Sequence, residues 1–257
     1  MAKMTKRYYP YLVGWTVQVL QVDAQGDAAY LRISDAIAAA QLGDLIQVAA
    51  GTYHERLILD KAVSICAQPQ SAAVTVIWET SEPYQAVVQC SCAGARIQGL
   101  TLRHRSPSVA TNYAVYVAGG DLTLEGCDIS SQSGSGVGVE GGSPQIRRCR
   151  IHDCARHGIA LFGDLFGAEG GGLVQDCMIR DNKQNGVLVR DGAAPTLRHN
   201  TVTGNAGYGV LLKACAGEYQ DNKIAGNRQG SVLLDASADL DSTDLAEQNQ
   251  LDRPATT

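Results

Sequence analysis

Leu124-Glu125-Gly126-Cys127-Asp128-Ile129 returns four more times along this chain, as Ile146-Arg147-Arg148-Cys149-Arg150-Ile151, Val174-Gln175-Asp176-Cys177-Met178-Ile179, Leu197-Arg198-His199-Asn200-Thr201-Val202 and Tyr219-Gln220-Asp221-Asn222-Lys223-Ile224. The Cys or Asn in each recurs at successive separations of 22, 28, 23 and 22 residues, so a unit of about 22 residues is repeated. Every unit carries a second marker, a small residue followed by alternating apolar positions, such as Gly136-Val137-Gly138-Val139 and Gly186-Val187-Leu188-Val189. These are period-two strands, and the Cys/Asn stretch supplies two more per unit. Three short strands and three turns in so few residues fit neither a hairpin stack nor a helix pair. They fit one coil of a single-stranded, right-handed parallel β-helix, an all-β solenoid in which each coil bonds to the next and inward side chains stack in columns.

The stacking predicts two buried ladders. One holds Cys127, Cys149, Cys177, Asn200 and Asn222, where Asn amides bond along the stack and Cys fills the same slot as a small apolar group. The other, five residues on, includes Cys154, Asn182, Asn205 and Asn227. Regular spacing explains both without a metal, and no Cys/His pairs sit at zinc spacing, so no metal and no cofactor is expected. The cysteines follow the repeat or lie in strands, not in a disulfide framework, and are read as reduced. The long step of 28 comes from the Gly-rich insertion FGDLFGAEGGG at 162–172.

Residues 1–16 read as an N-terminal extension, 17–235 as the solenoid, and 236–257 as a cap remnant with a disordered tail. A capping helix is expected over about 30–40, with Leu31, Ile33, Ile37 and Ala40 on one side. The net charge of −5 argues against nucleic acid. No stretch suits a membrane span or a signal peptide, so the expectation is a cytoplasmic protein. Glu55, after the turn at Gly51-Thr52-Tyr53-His54, is expected to accept backbone N–H groups.

The run 33–65, ISDAIAAAQLGDLIQVAAGTYHERLILDKAVSI, resembles the first coil of the pectin-lyase-like right-handed β-helix superfamily, and the later coils resemble its repeats. Within that superfamily the look is nearest to the β-helix bodies of F-box and Shc-binding recognition proteins. The superfamily spans lyases, hydrolases, esterases, epimerases and binding proteins, so the resemblance implies the fold more than the activity. Gly51-Thr52-Tyr53-His54-Glu55 resembles the first pectin-esterase motif, without the later ones, and the Asp-Pro-His-Asp and Asn-Thr-Asp signatures of epimerases and polygalacturonases are absent.

Outward positions give two candidate surfaces. On the glycine-led strand the outward columns include Tyr116, Leu188 and Leu211 beside Glu140, Phe162, Arg190 and Lys213. One carboxylate there is too few for a paired-acid glycosidase. With the Gly-rich loop, this apolar face is expected to bind a protein partner, which makes the chain a non-catalytic recognition module. On the strand after the Cys/Asn turn, Arg103, Arg150, His152 and Arg180 form an expected positive patch. It offers an acidic glycan a site, with His152, Arg150 and Arg180 as catalytic candidates for a polysaccharide lyase or C5-epimerase, the alternative reading.

Overall fold

A computed structural model describes residues 17–107, 113–163 and 170–252. The chain winds into a right-handed parallel solenoid of three sheets, with nine, nine and eight strands among the described residues. The first sheet starts at Val19–Val22, the second at Gly51–His54 and the third at Leu57–Leu59. Repeat positions are rung neighbours, as the spacing requires: Leu124, Ile146, Val174, Leu197 and Tyr219 align in the first sheet, and Val115, Val137, Ile159, Val187 and Val210 in the third. These side chains are almost fully buried and form one continuous core along the axis.

Both ladders form. The backbone N–H of Cys177 donates to Oδ1 of Asn200, that of Asn200 to Asn222 and that of Asn222 to Asn249, each at 3.0 Å. In the second ladder Cys154, Asn182 and Asn205 donate in the same way to Asn182, Asn205 and Asn227, each at 3.1 Å. One left-handed residue before each first-ladder position, Gly126, Arg148, Asp176, His199 or Asp221, turns the chain so that the next side chain points inward. The second ladder also explains the glycine that opens the third-sheet strands. A Cβ on Gly186 would lie 2.8 Å from Nδ2 of Asn205, so the amide row runs over a backbone with no side chain. All eight cysteines are free.

Helix α1 (Ile33–Ala39) closes the N-terminal end, burying Ile33, Ala36 and Ile37. Leu31, expected on its inner side, is instead 58% exposed because it precedes the helix. The N-cap residue Arg32 gives no side-chain cap. Glu55 does that work from the next coil, accepting from the Ile33 N–H at 2.8 Å and the Ser34 N–H at 2.7 Å while itself 1% exposed. Glu55→Ala should therefore orphan two N–H groups and cost about 2–4 kcal/mol in urea unfolding. A loss below about 0.5 kcal/mol, the scale of an ordinary surface change, would refute the cap.

The C-terminal end differs from the expected cap remnant and disordered tail. Asp241 accepts from the N–H groups of Thr243 and Asp244 and starts helix α2 (Ser242–Gln248), which buries Leu245. The strand Gln250–Leu251 then pairs with Lys223–Ile224 and adds a last rung to the second sheet. Polar composition hid this cap because one leucine and one asparagine, Asn249, carry its docking. The expected N-terminal extension, 1–16, and residues 253–257 lie outside the described residues.

Candidate functional site

The outer face of the third sheet carries a cleft of about 430 Å³. Strands Tyr113–Ala118, Ser135–Glu140, Ile159–Phe162 and Val187–Arg190 form its floor. Their alternation sends Val115, Val137, Ile159 and Val187 into the core and leaves three outward columns. Gly138 leaves a gap in the middle column, and the Tyr113 ring fills it: a Cβ at Gly138 would lie 2.6 Å from Tyr113 Cδ1. Tyr113 in turn stacks on Tyr116, centroids 5.5 Å apart and planes 9° from parallel. Such a stack fixes both rings.

Tyr116 donates its hydroxyl hydrogen to Oε2 of Glu140 at 2.6 Å. Burial, and then the hydrogen bond and charge of Glu140, push the phenol well above its ordinary range, so it keeps its proton. Glu140 is exposed at the cleft surface. Two rungs on, the Arg190 guanidinium lies over the Phe162 ring, 5.4 Å from its centroid, and its Nε donates to Asp191 at 2.6 Å. His157 lines the opposite side. Its Nδ1 accepts from the Asn185 N–H at 3.3 Å, which puts the hydrogen on Nε2. Burial first, then the charges of Arg156 and Arg190, push this imidazole down to about 4, so it is neutral near pH 7. Tyr84 stands at the rim, 78% exposed, with a left-handed backbone at φ 58°.

Of the residues expected on this face, Tyr116, Glu140, Phe162, Leu188 and Arg190 all line the cleft. Leu211 and Lys213 extend the Leu188 and Arg190 columns by one rung, outside the lining. Residues 164–169 of the Gly-rich loop lie outside the described residues. Tyr113, His157 and Tyr84 also line the cleft, outside the residues expected on this face. Tyr113 and His157 occupy one outward column, two residues before the inward Val115 and Ile159, a position the period-two reading reaches if the strand starts earlier.

The second-sheet residues are arranged differently from the expected positive patch. Asp128 takes Arg103, Arg150 at 2.7 Å and the Nε2 hydrogen of His152 at 3.0 Å. Burial alone would push the Asp128 carboxyl up, but the Arg103 and His152 hydrogen bonds outweigh it and hold the group below the usual carboxylate range. The other ring nitrogen of His152 meets Asp153 at 2.6 Å, and Arg180 pairs with Asp181. Carboxylates thus interleave with the cations across rungs, and His152 has no ring nitrogen left to receive a substrate proton. Among the described residues no group of three or more His, Cys, Asp or Glu side chains is placed to hold a metal ion, and no helix is long and apolar enough to cross a membrane.

Comparison with known proteins matches residues 86–244 to the family model described as "Right handed beta helix region". None of the curated protein sequences matches the chain. Among solved structures, the pectin methylesterase from Aspergillus niger superposes with a TM-score of 0.67 at 17% identity, over 93% of this chain and 90% of that one. The pectin methylesterase from carrot gives 0.60 at 17% identity, over 91% and 81%. Pectate lyase Pel9A gives 0.54 at 12% identity, over 89% and 80%. At such identities the likeness is one of fold. It also corrects the expectation of a non-catalytic recognition module that binds a protein. The bodies that match nearly end to end are polysaccharide-modifying enzymes, an esterase and a lyase among them. An outward apolar column had suggested a docking face; in the fold it is the floor of a cleft that also holds a carboxylate and a phenol.

Proposed function

The chain belongs to the right-handed beta helix family, and from that premise we propose that it is an enzyme acting on an acidic polysaccharide, withdrawing the C5 proton of a uronate unit in the third-sheet cleft. That step is common to lyases and C5-epimerases. The observation that carries the proposal is the Tyr116–Glu140 hydrogen bond of 2.6 Å inside a cleft flanked by aromatic rings and Arg190. Glu140 is the base and Arg190 the counter-charge for the uronate carboxylate, on which negative charge builds as the proton leaves. The neutral His157 offers its Nε2 hydrogen to the same developing charge.

In β-elimination Glu140 takes the C5 proton, the C4–O bond breaks as the C4–C5 double bond forms, and Tyr116 gives its proton to the departing oxygen. Tyr116 then recovers a proton from Glu140 through their hydrogen bond, so the pair ends as it began. In epimerisation the C4–O bond stays, C5 takes a proton from solvent water on the other face, and Glu140 returns its proton to the hydroxide so formed. The alternative placement of this chemistry at Arg150, His152 and Arg180 gives way to the cleft because both ring nitrogens of His152 already face carboxylates, which leaves that surface without a base.

The test is incubation with polygalacturonate and with alginate in deuterium oxide, read by nuclear magnetic resonance and by ultraviolet absorbance. Deuterium at C5, or unsaturated uronate ends, is the expected result. Methanol release from a methyl-esterified polyuronate with no change at C5 would replace this reading with ester hydrolysis, and inertness toward all of them would end it.

A further inference from the structure

Most outer-surface arginines face carboxylates: Arg96 and Arg148 meet Glu125, Arg105 meets Glu79, and Arg103 and Arg150 meet Asp128. Arg56 is an exception. It stands just before the strand Leu57–Leu59, its guanidinium donates to Oε1 of Gln89, and it makes no ion pair among the described residues. Its Nε is buried with no acceptor, and burial pulls its pKa below the ordinary arginine range. Arg147 also has an orphaned Nε, but it lies on the first sheet, away from the cleft. A half-buried cation whose Nε is dry and which has no counter-charge suits an anion better than water alone.

Arg56 stands next to the cleft lining without being part of it. The N–H of Leu57 donates to the carbonyl of Val87 at 2.7 Å, which puts Arg56 beside Val87, the residue that follows the cleft-lining Ala86. Gln89, which accepts from Arg56, is the rung neighbour of Tyr116. The rung of Arg56 is three steps from that of Glu140, through the aligned Leu57, Val88, Val115 and Val137. Three steps span about 14 Å.

We infer that Arg56, oriented by Gln89, is an anion subsite that takes the carboxylate of a second uronate unit, about three rungs from the unit at Glu140. The inference rests on the glycan reading for the identity of its ligand. It makes Arg56 a determinant of chain length: a substrate that reaches both points uses it, and a disaccharide held at Glu140 does not. A charge-assisted bond of this kind is worth about 1.5–3 kcal/mol, or about ten- to a hundredfold in affinity.

Calorimetric titration of the full chain, Arg56→Gln and Arg56→Lys tests this with four probes: a galacturonate disaccharide, a galacturonate oligomer long enough to span the cleft, a neutral galactose oligomer of equal length, and sulfate. Arg56→Gln is expected to weaken the long uronate oligomer about ten- to a hundredfold and to leave the disaccharide and the neutral oligomer unchanged. Arg56→Lys should recover part of the loss, which separates lost charge from lost fold. Equal affinity of the unaltered chain and Arg56→Gln for the long uronate oligomer would overturn the subsite while leaving the glycan reading intact. Arg56-dependent binding of sulfate with no binding of any uronate would overturn the uronate assignment and the glycan reading together.

Discussion

Glu140→Gln is expected to lower kcat on a polyuronate by about a hundredfold to ten-thousandfold, the range for removing a positioned general base, with little change in KM. The substitution keeps the shape of the side chain and an oxygen that accepts the Tyr116 hydrogen, now at 2.6 Å, and removes only the capacity to take a proton. Glu140 is exposed at the end of its strand and its other outward neighbours are Ala118 and Phe162, so stability should stay within about 0.5 kcal/mol. Steady-state kinetics beside a urea denaturation curve check both halves. A kcat within about threefold of the unaltered chain, an effect too small for a lost base, would remove Glu140 from the chemistry.

Asn205→Ala is expected to be the most damaging single truncation in the solenoid, at about 3–5 kcal/mol. Oδ1 of Asn205 accepts from both the N–H of Asn182 at 3.1 Å and its Nδ2 at 2.8 Å. Its own Nδ2 reaches Oδ1 of Asn227 at 2.8 Å and the carbonyl of Thr203 at 3.2 Å. Alanine would leave the Asn182 N–H and Nδ2 buried, dry and without that acceptor, since Asn205 is 1% exposed and the glycine-lined backbone beneath leaves no side chain to fill the space. Asn205→Cys should cost less, because Cys154 occupies the equivalent slot in its own rung and bonds to the His152 carbonyl at 3.5 Å. Denaturant unfolding gives the magnitude. Hydrogen exchange should show faster exchange at Asn182 and its rung neighbours than at α1, and a loss under about 1 kcal/mol would contradict the buried-amide account.

How much of this was legible follows from what each feature depends on. The ladder and the rung register are set by backbone periodicity, which a sequence carries directly, so Cys127, Cys149, Cys177, Asn200 and Asn222 fall into one column by spacing alone. The same periodicity brought Tyr116, Leu188, Glu140 and Arg190 to one face. It could not say what those columns enclose. The cleft exists because Tyr113 lies over Gly138, a rotamer choice, and because Tyr84 stands at its rim. Nor could it balance the second-sheet charges: Arg103, His152 and Arg150 converge on Asp128 across neighbouring rungs, and counting cations along one strand overlooks a carboxylate one coil away. Whether a solenoid catalyses or only binds is written in a few such side chains, and composition does not reveal it.

The ladders point one way. From Cys177 onward each backbone N–H in the first row is received by the asparagine of the following coil, and that of Asn222 by Asn249, beyond α2. As the ribosome releases the chain from its amino end, every newly made turn is therefore an unfinished one that waits for its successor. Asn249 receives the last of these bonds, which makes the segment after α2 the step that closes the row rather than an appendage to it.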